Sequence, residues 1–287
     1  LIDAVTWAES EGLERVILSG MGRSFAAGAD TKEFDQPAIS PHLPDVVNRI
    51  ETSTVPWIAA IHGTALGGGG ELALGCRYRI ARADATIGFP EVILGLVPGA
   101  GATQRLPRLV GLAEALKLIP TGKTISGKAA MTIGLVNAID DDPVAAAKLI
   151  DQKILSEAVP LSLMKAGTDK TVNYDTARQI AIRRMRGQEA PLTAISLLET
   201  AQTATFDDGM QKERNAFLAL RASPQARALR HIFFAERAAK KPPKAIETQK
   251  STLKPLNHVI VIGGGTMGSG IAYAFLNANI RVTILES

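Results

Sequence analysis

The chain has 287 residues, of which 46% are hydrophobic and 21% are charged. These values are typical of one large globular domain or two ordinary ones. The formal net charge is +4, and because segment 236–256 accounts for that excess, the rest of the chain lacks the basic face of a nucleic-acid-binding protein. The single cysteine, Cys76, excludes an internal disulfide framework, and no apolar run is long enough to span a membrane.

Short β-rich runs alternate with helical runs in the first half of the chain. Strands are predicted at residues 15–20, 56–63, 77–81, 86–89 and 135–139. Helices are predicted at PDVVNRIET, ELALGC, GATQRLPRLVG and TISGKAAMTIG, and the last has Ser126 as its cap and ends at Gly134. This alternation predicts an α/β layer structure.

From about residue 142 to residue 241 the pattern is helical only. It includes the predicted helices DDPVAAAKLIDQKIL, DTARQIAIRRM, APLTAISLLETAQ and SPQARALRHIFFAERAAKK, the last capped by Ser223. The segment KKPPKAIETQKSTLKPL then has a Pro-Pro pair, scattered lysines and few apolar residues, which predicts an interdomain linker. The remaining residues have the pattern strand, glycine turn, helix, strand.

Four consecutive glycines, Gly67 to Gly70, lie between the apolar runs WIAAI and ELAL. Apolar flanks argue against a flexible linker. A backbone without Cβ atoms allows close approach, and the N-terminus of a helix presents unpaired N–H groups. The combination suits an oxyanion hole for a carbonyl oxygen that gains negative charge. A tight structural turn is the alternative, and the small residues of FAAGAD form a second candidate turn.

Glu91 lies in an apolar run between Pro90 and Val92, where an ionised carboxylate is costly. Burial would raise its pKa toward the value that a general acid needs. Together with Glu71 it would form a carboxyl pair that holds a water and exchanges protons. The alternative for Glu91 is an exposed or ion-paired side chain.

The motifs ALGGGGELALGCRYRIA, GFPEVILGLVPGAGATQRLPRLVG and FAAGAD resemble the crotonase (enoyl-CoA hydratase/isomerase) superfamily. The motifs LALRASPQARALRHIFFAERAAKK and VIGGGTMGSGIA are similar to those of multifunctional β-oxidation enzymes. This group includes peroxisomal bifunctional enzymes and bacterial fatty-oxidation α-subunits. In these enzymes an enoyl-CoA hydratase/isomerase domain is fused to a 3-hydroxyacyl-CoA dehydrogenase. The resemblance implies an α/β crotonase fold (a ββα spiral) over 1–220, a helical extension and linker helix over 221–256, and the start of a Rossmann NAD-binding domain over 257–287.

The resemblance also implies roles for single residues. The backbone N–H groups of Ala29 and Gly68 would form the oxyanion hole. Glu71 and Glu91 would position the water that adds to a trans-2-enoyl-CoA, and Glu91 would also deliver a proton to the α-carbon and shuttle protons in the isomerase reaction. Lys32 matches a position near the CoA, and the alternative for it is an ordinary surface lysine.

Gly263, Gly265 and Gly268 form a G-x-G-x-x-G motif that follows the strand HVIVI and opens a helix. In this context the motif predicts a dinucleotide-binding turn. Glu286 ends the next strand, where an acidic residue would bind the ribose hydroxyls and favour NAD. The alternative is a glycine turn without a ligand.

Two rival functions are a nucleic-acid-binding relative of the superfamily and a crotonase enzyme of other acyl-CoA chemistry. The near-neutral core and the glutamate pair weigh against the first. The resemblance otherwise implies CoA-thioester substrates, NAD for the dehydrogenase part, no metal, a monomer or a complex with thiolase, and a peroxisomal or bacterial cytoplasmic location. Because the chain opens without a methionine and stops after a strand, we expect both ends to be cut from a longer protein.

Overall fold

The computed structural model describes residues 1–30, 39–167, 172–240 and 255–286. The chain divides into two compact units, Leu1–Glu236 and Arg237–Ser287. Within the described ranges, no helix combines the length and the apolar character that crossing a membrane requires. The sequence-based domain limits at residues 220 and 256 stay predictions.

In the described part of the first unit, one sheet has four parallel strands. Their spatial order is β1 (Val16–Ser19), β2 (Trp57–Ile61), β4 (Tyr78–Ala81) and β7 (Ala138–Ile139). Every residue of β2 is buried. A parallel strand covered on both faces needs a continuous apolar run, and WIAAI is such a run.

The central strand of the second sheet is β5 (Thr86–Gly88). On one side β3 (Thr64–Leu66) pairs with it in parallel, and on the other β6 (Thr124–Ser126) pairs in antiparallel fashion. Ala26 adds an isolated parallel bridge to Ala65 of β3. Each of β1, β2 and β4 is thus followed within a few residues by a segment of the second sheet, which confirms the predicted ββα spiral.

The helices surround the two sheets. In the first unit they are α1 (Ile2–Ser10), α2 (Leu43–Glu51), α3 (Gly68–Gly75), α4 (Ala102–Val110), α5 (Leu112–Leu118), α6 (Gly127–Thr132), α7 (Pro143–Lys148), α8 (Gln152–Glu157), α9 (Tyr174–Arg184), α10 (Ala190–Thr203), α11 (Phe206–Ala222) and α12 (Pro224–Ala239), with 3₁₀ helices at Pro90–Leu94 and Leu161–Leu163. The predicted caps are present: the Ser126 hydroxyl accepts from the N–H of Ala129, and the Ser223 hydroxyl accepts from the N–H of Ala226.

Three local predictions differ from the structure. Residues 124–126, predicted as the start of a helix, form β6, and the strand β3 was not predicted. Both strands have three residues, too few for an alternating pattern to show. The predicted single helix DDPVAAAKLIDQKIL is two helices, α7 and α8, because the Asp151 carboxylate accepts from the N–H of Lys153 and caps a new helix.

The second unit contains one βαβ element. Strands β8 (His258–Ile262) and β9 (Arg281–Leu285) pair in parallel, and α13 (Thr266–Asn277) connects them. This is the predicted order of strand, glycine turn, helix and strand.

A buried ion pair ties α4 to α2 in the first unit. The Arg105 guanidinium lies 2.7 Å from the Glu51 carboxylate, and the two side chains are 0% and 3% exposed. The same guanidinium donates to Asn48 Oδ1 at 2.7 Å and to the Ala100 carbonyl at 3.0 Å. Arg105 therefore also closes the turn that precedes α4.

We expect Glu51→Gln to lower the free energy of unfolding by about 3–5 kcal/mol, because it leaves a buried guanidinium without its counter-charge. Both carboxylate oxygens of Glu51 accept, one from Arg105 and one from the N–H of Ser162. The glutamine NH₂ would therefore face a donor. Urea unfolding measures the change.

The control is Arg82→Met, which removes the exposed pair with Asp84 and should leave the unfolding midpoint almost unchanged. Equal midpoints for the two variants would contradict the prediction.

Candidate active site

A cavity of about 370 Å³ opens in the first unit beside the second sheet. The segments that follow the Ala26 bridge, β3 and β5 meet here, because the carboxyl ends of parallel strands share one edge of a sheet. All three predicted stretches contribute to its wall, through residues 27–29, residues 67, 68 and 71, and residues 90 and 91.

Close packing explains the glycine run. Gly67 has φ +54°, a left-handed conformation that favours glycine. A Cβ added at Gly69 would lie 2.2 Å from the Ala26 carbonyl oxygen, and one at Gly70 would lie 2.8 Å from the Phe89 ring. The structural-turn alternative therefore accounts for part of the run, and the linker interpretation is wrong.

The two amides predicted to form an oxyanion hole are neighbours. A Cβ added at Gly68 would lie 3.9 Å from the backbone nitrogen of Ala29, and both residues line the cavity. Gly68 is the first residue of α3, where the N–H has no partner inside the helix and the helix dipole is positive. Both residues thus lie next to each other in the cavity wall.

The Glu71 carboxyl is buried and held from one side. Glu71 lies in the first turn of α3 and is 3% exposed. Its Oε1 accepts from the N–H of Ala100 at 2.8 Å and from that of Ala102 at 3.1 Å. Burial raises the pKa of Glu71, while these two bonds and the positive charge of Arg105 oppose the rise. The donors favour the ionised form.

Glu91 has a different environment. It lies in the 3₁₀ helix Pro90–Leu94, and its Oε2 is shielded from solvent without a hydrogen-bond partner among the described residues. Burial raises the pKa of Glu91 well above the usual value, and the charge on Glu71 adds to the rise. In the described ranges Glu91 has no ion pair, and although the residue as a whole is half-buried, its Oε2 is shielded from solvent. Two carboxyl groups with different environments can divide acid and base roles.

Helix α11 adds residues that the sequence analysis did not single out. Arg214, Phe217 and Arg221 line the cavity, and Glu213 is fully buried beside them. Burial raises the pKa of Glu213 to about 8, and the charge on Glu71 adds to the rise. The spacing of the three cavity residues places them on one face of a helix, a signal that could have indicated a shared surface.

His62 and Cys76 have surroundings that are consistent with structural roles. His62 Nε2 lies 3.2 Å from the Gly22 carbonyl oxygen, a contact typical of a structural histidine. Cys76 is buried, and burial raises the pKa of its thiol to about 12. Lys32 lies outside the described residues.

The glycine turn of the second unit fits a dinucleotide. Gly263 has φ +92°, and a Cβ added at Gly268 would lie 1.7 Å from the Gly263 carbonyl oxygen, so this position packs the helix against the strand. A Cβ added at Gly265 would meet nothing within 4 Å, which leaves the backbone open to a pyrophosphate. The Glu286 carboxylate accepts from the N–H of Gly264 and thus lies at the turn.

Comparisons with known proteins agree with these features. Residues 1–194 match the family described as enoyl-CoA hydratase/isomerase, and residues 258–287 match the 3-hydroxyacyl-CoA dehydrogenase NAD binding domain. The peroxisomal bifunctional enzyme of Cavia porcellus is 38% identical over 99% of this chain and 42% of its own length. The fatty acid oxidation complex subunit alpha of Shewanella baltica is 36% identical over 90% of this chain and 39% of its own length.

The chain thus spans about two fifths of the length of the curated relatives that it matches. Among solved structures, Pseudomonas aeruginosa OdaA is 25% identical with a TM-score of 0.54, and the match covers 81% of this chain and 85% of that one. The family match covers more than half of the chain and contains both glutamates and both cavity amides. The chain belongs to the enoyl-CoA hydratase/isomerase family.

Proposed function

We propose that the first unit adds water to trans-2-enoyl-CoA thioesters to form 3-hydroxyacyl-CoA, and that it isomerises enoyl-CoA at the same site. The observation that carries the proposal is the pair of carboxyl groups that line one cavity, the buried Glu71 and the half-buried Glu91, beside the neighbouring residues Ala29 and Gly68. The names of the relatives, which include fatty acid oxidation and bifunctional enzymes, support a place in β-oxidation.

The two amides act on the thioester oxygen. The N–H groups of Ala29 and Gly68 hold this oxygen as it becomes enolate-like and gains negative charge. A fixed donor in a water-poor cavity needs no reorganisation during the reaction, and one such donor contributes on the order of 100-fold or more to the rate.

The two glutamates act on the water and its protons. Both position the water whose oxygen bonds to the β-carbon. Glu91 Oε2 has no donor among the described residues, and its raised pKa favours the protonated form, which delivers its proton to the α-carbon. The proton that the water releases returns to the carboxyl pair, so the site is restored. In the isomerase reaction the ionised form of Glu91 removes a proton from one carbon, and the carboxylic acid so formed returns the proton to another carbon.

The second unit is proposed to bind NAD. The open backbone at Gly265 and the turn at Gly263 would hold the pyrophosphate, Gly268 lets the helix approach the strand, and Glu286 would bind the ribose hydroxyls. Bound there, NAD supplies the hydride acceptor for oxidation of a 3-hydroxyacyl-CoA by the whole protein.

For the whole protein we propose fatty acid β-oxidation, in a peroxisome or in a bacterial cytoplasm. A monomer and a complex with thiolase are both compatible with this role. Lys32 is proposed to contact the CoA. The proposed domains are residues 1–220, 221–256 and 257–287.

The hydratase proposal is tested by the loss of crotonyl-CoA absorbance with wild-type protein, Glu71→Gln and Glu91→Gln. Each substitution should lower kcat by on the order of 100-fold or more, because it removes a positioned acid/base group. The control is Glu114→Gln, which changes a side chain whose partner is the exposed Lys117 and should keep the full rate.

A wild-type protein that leaves crotonyl-CoA untouched, or a fully active glutamine variant, would refute the hydratase assignment. Release of free CoA thiol would instead indicate thioester cleavage, which is the rival acyl-CoA chemistry.

The raised pKa of Glu91 predicts a pH-dependent stability. The folded-state pKa exceeds the ordinary value of 4.5, so the stabilising contribution is complete below pH 4.5 and is lost as the pH rises toward the folded-state value. The Tm of wild-type protein relative to Glu91→Gln should therefore fall as the pH increases. Thermal unfolding of both proteins across a pH series measures this, and a constant difference in Tm would contradict it.

A further inference from the structure

Helix α11 lies beyond the residues that match the family, yet it places a third carboxyl group, which is fully buried, next to the cavity wall. Glu213 is 0% exposed and belongs to α11, whereas the family match ends at residue 194. An isolated charge in such a position would be costly, so its hydrogen-bond partners show what it does there.

The partners of Glu213 are the N–H groups that alternate with those bound by Glu71. Gly101 donates its N–H to Glu213 Oε1 at 2.6 Å, and the N–H of Thr103 donates to Oε2 at 2.9 Å. Ala100 and Ala102 donate to Glu71. One backbone turn is therefore held from two sides, by a carboxylate on α3 and a carboxylate on α11.

Side-chain contacts fix α11 against this turn. The Thr103 hydroxyl donates to Glu213 Oε2 at 2.6 Å and accepts from Gln104 Nε2 at 3.0 Å. A Cβ added at Gly209, one turn earlier on α11, would lie 2.1 Å from Gln104 Oε1. This close approach of α11 to α4 leaves Glu213 little freedom.

Loss of the Glu213 acceptors would change the donors of Glu71. The N–H groups of Gly101 and Thr103 would be buried without partners, and an unpaired buried donor favours a shift of the backbone toward another acceptor. Ala100 and Ala102 belong to the same turn and would move with it. Gly99, at the start of the turn, lines the cavity, so the shift would reach the reacting groups.

We propose that Glu213 is a positioning residue: it fixes turn 99–103 and through it the Glu71 carboxylate. The expected effect of Glu213 on kcat rests on the proposed hydratase function, whereas its effect on the position of turn 99–103 does not. The charge of Glu213 also raises the pKa of Glu91, which adds a second connection to the carboxyl pair.

The kinetic test is a double-mutant cycle on the intact chain with crotonyl-CoA. Glu213→Gln should lower kcat by about 10-fold or more, since a misplacement of about 1 Å can cost on the order of 100-fold, while KM changes by less than about two-fold. In the Glu71→Gln background the same substitution should cause no further loss, because the group that it positions is already absent.

The matched control is Leu220→Ala, on the same helix. Leu220 is a buried apolar residue of α11, and none of the carboxylate hydrogen bonds of turn 99–103 involves it. This variant should lower the Tm and leave kcat unchanged, which separates loss of stability from loss of positioning.

A second measurement needs no substrate. Amide hydrogen exchange followed by NMR should show faster exchange at Ala100 and Ala102 in Glu213→Gln, although neither amide binds Glu213, and no such change in Leu220→Ala. Unchanged exchange at these two amides would overturn the proposal, as would an equal loss of kcat in both backgrounds of the cycle. Faster exchange in a protein that does not hydrate crotonyl-CoA would retain the role of Glu213 and refute the hydratase function.

Discussion

The site depends on the beginning of α4, where four consecutive backbone N–H groups bind two buried carboxylates. Ala100 and Ala102 donate to Glu71, while Gly101 and Thr103 donate to Glu213. Unpaired N–H groups and a positive dipole make a helix N-terminus one of the few buried places that can accept such charge. The turn thereby fixes one member of the carboxyl pair on a rigid element and connects three helices.

This arrangement follows from the way the chain winds through the two sheets. Parallel pairing of Ala26 with Ala65, and of β3 with β5, brings the ends of three separate segments to one edge of the second sheet. One segment carries Ala29, one carries Gly68 and Glu71, and one carries Glu91. Loops at the ends of buried strands are positioned by the core, so backbone amides and carboxyl groups far apart in sequence become neighbours.

The two glutamates differ because their surroundings differ. Glu71 receives donors that favour its anion, whereas Glu91 Oε2 has none among the described residues and stays close to another negative charge. The pKa values are thus pushed apart, which allows one carboxyl to accept and the other to donate a proton. Close packing around Gly69 and Gly70 shows that the glycine run also serves the fold.

The sequence by itself determined the strands with apolar runs, the helix caps at Ser126 and Ser223 and the glycine turn of the second unit. These features depend on neighbours along the chain, so local patterns reveal them. The three-residue strands β3 and β6 and the contribution of α11 were decided only by the tertiary structure. Strands β3 and β6 form only by pairing with β5, which lies elsewhere in the sequence. Glu213 is bound by N–H groups 110 and 112 residues away. A charged residue in a helical pattern has the same local signature whether it faces solvent or the N-terminus of another helix.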